Sequence, residues 1–165
     1  MTPADIYTDL LERVLENGLA VVDGLDEDAL AHRPAPDANS IAWLVWHTAR
    51  VQDAQVAHVA GDEQVWFRDG WAERFALDLD PHDHGYGHTS GQVGKVRATA
   101  ELLQGYLRAT HDASVAFLRT VDPDHLDKVV DTNWDPPVTM GVRLDSIVDD
   151  CAQHVGQAAY LRGLL

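Results

Sequence analysis

Asp150 and His154 stand four residues apart in the stretch Asp149-Asp150-Cys151-Ala152-Gln153-His154-Val155-Gly156-Gln157. Around them Leu144, Ile147, Val148, Cys151, Val155, Ala158 and Leu161 recur at steps of three and four, the period of an amphipathic helix. That spacing puts the carboxylate and the imidazole one turn apart on one face. Ile147 and Ala158 continue the same line, so the face is the apolar one. Ionisable groups aimed at a core are costly unless something compensates them, and a divalent cation would compensate both. Taken alone, such a pair is more often a helix-edge carboxylate beside a core histidine satisfied by a hydrogen bond. His47 changes the weighing, because it is a second inward-facing histidine on another helical pattern, flanked by Trp43 and Trp46. Two imidazoles and one carboxylate suit zinc with a position left open for water or substrate. The same set suits nickel or non-haem iron.

Four long helical patterns have to bring these residues together. Residues 3–22 carry Ile6, Leu10, Leu11, Val14, Leu15, Leu19 and Val22 at helical spacing after a Thr2-Pro3 start signal. Residues 40–60 follow an N-cap at Asn39 or Ser40 and end at Gly61, with Leu44, His47, Val51 and Ala54 as the inner line. A third helix is expected over 90–121, stopped by Asp122-Pro123, and a fourth over 144–164. Shorter helical pieces are expected at 26–31, 65–67, 71–77 and 124–130, and an extended segment at 132–140 around Pro136-Pro137. The long connection 61–94 is richest in turn residues from Pro81 to Thr89, which reads as a functional loop. The expected fold is all-α, a four-helix bundle with long connections, in one domain spanning 1–165.

The totals narrow the partners. Twelve Lys and Arg against 27 Asp and Glu leave a net charge of −15, which argues against nucleic acid and against anionic membranes. The single cysteine, Cys151, excludes an internal disulfide and reads as a small core residue. With no basic-then-apolar leader and no long apolar run, the expectation is a cytoplasmic protein. The loop histidines His82, His84 and His88 sit among Asp, Gly and Pro, the residues of an exposed turn, and a metal role for them is disfavoured. His88, after Gly85-Tyr86-Gly87, reads as a residue at a pocket mouth, since glycines permit close backbone approach. Trp43, Trp46, Trp66, Trp71 and Trp134 read as core or pocket lining. Arg50, one turn after His47, reads as a solvated surface arginine or as a cation aimed at an anionic ligand.

Trp46-His47 together with His154-x-Gly156-Gln157-x-x-x-x-Arg162 resembles the DinB-like superfamily of four-helix-bundle metal proteins. Gly85-Tyr86-Gly87-His88, Trp134 to Thr139 and Gly141-Val142-Arg143 are similar to its branch of mycothiol-dependent S-transferases, related to maleylpyruvate isomerases. The resemblance spans essentially the whole chain. It implies a divalent metal, zinc first and nickel or iron as alternatives, held by His47, Asp150 and His154. It also implies mycothiol as co-substrate and an electrophile as acceptor, in a detoxifying transferase compatible with a homodimer. Trp43, Trp46, Arg50 and His88 are then the expected substrate contacts. The sequence departs from the family at Asp150, where many relatives carry histidine and the isomerases glutamate. No second domain like that of the isomerases is expected after the bundle, which favours the stand-alone transferase. The alternatives are a metal-dependent hydrolase using the same open position and a non-catalytic ligand-binding bundle.

Overall fold

The computed structural model describes residues 1–165. Helix α1 runs Pro3–Val22, and a short α2 covers Glu27–Ala31. Helix α3 runs Ile41–Ala60 and is followed by three short helices, α4 (Val65–Arg68), α5 (Trp71–Phe75) and α6 (Ser90–Val93). Helix α7 runs Ala100–Leu118. A 3-10 turn at Pro123–His125 leads into strand β1 (Val129–Asp131), which pairs antiparallel with β2 (Val138–Thr139). Helix α8, Met140–Arg162, follows β2 directly.

The long helices form a square bundle in the cyclic order α1, α7, α3, α8. Gln55 bonded to Arg143 and Thr48 touching Cys151 make α3 and α8 antiparallel. Tyr7 bonded to Asp145 and Ala20 to Arg162 make α1 and α8 parallel. Local chemistry sets the ends. Thr2 and Asp5 form a reciprocal capping box on α1, Ser40 caps α3, and Gly61 closes α3 in the left-handed region. Arg162 donates to the carbonyls of Ala20, Val21 and Asp23, satisfying the exposed C-terminal end of α1.

Two expected elements differ. The helix expected over 90–121 is interrupted at 94–99, where Val96 and Ala98 pack into the core and Thr99 starts α7 by accepting from the amide of Leu102. The piece expected at 124–130 is a single 3-10 turn followed by a strand, and α8 begins at Met140 because Thr139 caps it. Trp134, expected inside, is 65% exposed at the hairpin.

Helix α3 is buried on every side from Ser40 to Asp53, because α4, α5 and the loop after them cover its outer face. Arg50, expected at the surface, is fully buried there. Its Nη1 donates to Gln64 and Tyr106 and lies 3.8 Å from Asp53 Oδ2. Asp53 accepts from the amides of Val65 and Trp66 at 2.8 Å each and from Tyr106 Oη at 2.7 Å. One carboxylate therefore neutralises a buried cation and caps α4. Asp53→Ala would strand the guanidinium and two helix donors, so a loss of about 3–5 kcal/mol is expected, read as a lower urea midpoint. Wild-type stability in this variant would contradict the structural role given to Asp53.

Candidate metal centre

His47 is held by the loop that covers α3. Its Nδ1 lies 2.5 Å from the carbonyl oxygen of His84. A carbonyl only accepts, so the proton sits on Nδ1 and the Nε2 lone pair is left free. The loop comes this close because residue 85 is glycine. Gly85 has φ +97°, and a Cβ there would stand 2.6 Å from His47 Nδ1, 3.1 Å from Trp43 and 3.2 Å from Trp46. Trp43 stacks on the imidazole at 4.5 Å between centroids. Burial pushes the His47 pKa down to about 4, with smaller contributions from neighbouring histidines, while the His84 carbonyl opposes the shift. At neutral pH the ring is therefore uncharged, the form in which a histidine binds a metal.

Helix α8 supplies the other side. His154 Nδ1 donates to the backbone carbonyl of Asp150, one turn earlier, at 2.7 Å, which again leaves Nε2 free. Asp150 Oδ2 lies 4.0 Å from His47 Nε2 and 3.5 Å from His154 Nδ1. One ligand atom from each of the three residues falls within 4.8 Å of the others. Asp150 Oδ2 is buried and has no hydrogen-bond partner. Burial raises the Asp150 pKa, Asp149 adds to the rise, and His154 opposes it. An orphaned carboxylate oxygen beside the His47 lone pair and the His154 ring is electrostatically incomplete, and a divalent cation would complete it with a donor set that zinc accepts. The side chain of Asp150 is 35% exposed, so the centre opens to solvent along α8 and is closed along α3, where His47 is 6% exposed.

A family model described as mycothiol-S-transferase matches residues 7–165. The chain belongs to this family. The mycothiol S-transferases lie within the DinB-like superfamily of all-α proteins. Among solved structures, a conserved protein from Enterococcus faecalis shares 35% identity and superposes with a TM-score of 0.92 over 98% of this chain and 96% of that one. No protein of curated function matches. No helix is long and apolar enough to cross a membrane.

The mycothiol S-transferase fold puts the remaining expected residues in distinct places. Trp43 flanks the centre, lying 6.1 Å from the His154 ring, whereas Trp46 is buried against Gly85, His88 and Trp66 in the covering loop. His88 and Arg50 differ from the expected substrate contacts, since neither offers its polar atoms to solvent. The His88 side chain is 2% exposed, its Nδ1 accepts from Trp43 Nε1 at 3.0 Å, and its Nε2 lies 2.8 Å from Asp83 Oδ2, off the ideal N–H direction. Arg50 Nε donates to the carbonyl of Asp83, so both residues anchor the loop that orients His47. His82 is exposed and tilts against Phe67, while His84 contributes its carbonyl to His47. Cys151 is buried behind Asp150 with its sulfur 3.7 Å from the Thr48 carbonyl, and burial pushes the thiol pKa up, so it stays protonated. Asp83 did not stand out from the sequence, whereas the glycines at 85 and 87 signalled close backbone approach.

Two outcomes follow from this geometry. Gly85→Ala should weaken zinc binding by about 10- to 100-fold, because the new methyl displaces the imidazole rather than removing a ligand. The check is competition against a chromophoric chelator, with circular dichroism confirming an intact bundle. In metal-free protein, the imidazole resonances of His47 should titrate near pH 4. Because the folded pKa lies below the unfolded value, the unfolded chain takes up the proton first, so His47 stabilises the fold less as pH falls from 6.5 to 4. The loss is about 3 kcal/mol at most, and it should shrink in His47→Gln. An unaltered titration near pH 6.5 would refute the buried, neutral imidazole.

Proposed function

We propose that the protein is a divalent-metal-dependent S-transferase that joins the sulfur of mycothiol to electrophiles in their detoxification. The observation that carries this reading is the buried, unpartnered Asp150 Oδ2 beside two imidazoles whose Nε2 lone pairs are free. The family match supports the thiol as co-substrate. In the overall reaction with a halide electrophile, the thiol's S–H bond and the acceptor's carbon–halogen bond break, an S–C bond forms, halide leaves and the proton passes to water. A divalent ion at this centre, zinc before nickel or iron, would supply Lewis-acid chemistry that favours loss of a thiol proton below its free pKa of roughly 8.5.

The protein's own residues hold and screen the centre. His47, Asp150 and His154 would be the ligands, with His47 pre-oriented by the His84 carbonyl and His154 by the Asp150 carbonyl. Trp43 excludes water from the α3 side by stacking on His47. Cys151, protonated and buried, does not compete as a nucleophile. The open side along α8 admits the thiol and its acceptor.

Protein purified without a histidine tag should carry near-stoichiometric zinc by elemental analysis, and His47→Ala and His154→Ala should lose it. The same variants should conjugate mycothiol to a bimane electrophile more than about 100-fold more slowly. Unchanged turnover in His154→Ala, or a parent protein that takes up no metal when zinc is added, would sink the proposal.

A further inference from the structure

The seam between α3 and α8 continues past the three candidate ligands towards the end of α8. There it opens into a groove of about 430 Å³, walled by Asn39 and Leu44 on one side and Gly156, Gln157, Tyr160 and Leu161 on the other. Gln157 lies one turn beyond His154 and Leu161 two turns, so the groove extends from about 5 to about 10 Å along the helix axis from that imidazole. No charged residue lines it, in a chain where charged residues make up 24%. Its polar groups are two carboxamides and a phenol, and none of these side chains is engaged in a hydrogen bond within the protein. Carboxamides donate and accept, as hydroxyl groups do, and the 70%-exposed Tyr160 offers a ring for stacking.

Gly156 is the telling residue. Glycine inside a helix costs about 1 kcal/mol relative to alanine, and the other mid-helix glycines of the bundle have a packing reason. A Cβ on Gly18 would meet Leu107 at 2.5 Å, and one on Gly105 would meet Trp71 at 2.6 Å. A Cβ on Gly156 would meet nothing within 4 Å, and its φ is not positive. Gly156 is exposed and also borders the groove between α1 and α8, so no packing contact in the protein accounts for it, and a side chain there would take up space that an occupant of this groove could use.

We propose that this groove binds the uncharged, polyhydroxylated part of the thiol co-substrate, with Gln157 and Asn39 bonding its hydroxyls, Tyr160 stacking on it and Gly156 leaving its floor open. The proposal rests on the thiol-transferase reading above. Mycothiol joins its cysteine through an amide to an aminosugar linked to inositol, so sulfur at the metal centre would leave the polyol within reach of this seam. The lack of charged lining matches a neutral polyol better than a phosphate or a carboxylate.

The test uses the full chain and a sulfur-free probe, the glucosamine–inositol pseudodisaccharide. Titrated into the parent protein, it should bind saturably and shift the side-chain amide resonances of Asn39 and Gln157. Gly156→Leu, which favours the helix and fills the groove from outside the core, should weaken that binding at least tenfold, and Gln157→Ala should weaken it by a smaller factor. In turnover, Gly156→Leu should raise KM for mycothiol at least tenfold with kcat retained. Absence of probe binding to the parent, or equal binding by Gly156→Leu, would overturn the groove assignment. Probe binding that is lost in Gly156→Leu, in a protein that transfers no thiol, would keep the groove and refute the transferase. Transfer with an unchanged KM in Gly156→Leu would keep the transferase and refute the groove.

Discussion

The guanidinium of Arg50 has no route to water, and the shape of the covering loop follows from where its hydrogen bonds go. A buried cation is tolerated only when paired and bonded, and here the partners come from four segments: Asp53 on α3 itself, Gln64 just before α4, Tyr106 on α7, and the Asp83 carbonyl of the loop. That last bond pins the start of the segment whose next carbonyl, His84, accepts from His47. Asp83 then accepts the amide of Gly85 with its own carboxylate and faces His88, which receives the indole proton of Trp43. The orientation of one imidazole is thus fixed by an ion pair less than two turns away on the same helix, acting through a loop about thirty residues further along. In such a network the gain is a single arrangement more than stability.

The two walls of the centre do different work. The α3 wall is closed and rigid, with a neutral histidine clamped between an indole and a carbonyl. The α8 wall is short-range and open, because Asp150 and His154 share one helix and His154 bonds to the backbone of Asp150. Such an asymmetry suits a centre that binds a metal and a co-substrate, since preorganised ligands and solvent access compete for the same surface. The strong negative charge of the chain lies mostly on its exterior. The seam leading from the centre past Gln157 carries none of it.

Much of this could be read from residue types and spacing. The four long helices, the short pieces near 65 and 71, and the convergence of His47, Asp150 and His154 all follow from patterns with a fixed period or a known motif. Periodicity is a property of one helix, and so is the i, i+4 relation between Asp150 and His154, which is why both are written in the chain. The break at 94–99 escaped because Val96 and Ala98 keep an apolar rhythm while packing as extended chain, and local pattern does not distinguish those two uses. Arg50 escaped for a different reason. Its burial depends on the segment 61–89 folding back over the outer face of α3, a contact between residues far apart in sequence.

By itself, then, the sequence determined which side chains have the chemistry of a metal centre and which helices carry them. The tertiary structure decided how each is placed: that His88 and Arg50 brace a loop with their polar atoms turned away from solvent, that Cys151 is sealed in the core, and that Gly85 is the contact allowing His84 to hold His47. Ligand identity is a matter of donor atoms, which residue types declare. Orientation, protonation and access depend on which distant segments exclude water from a given atom, and only the folded chain brings those segments together.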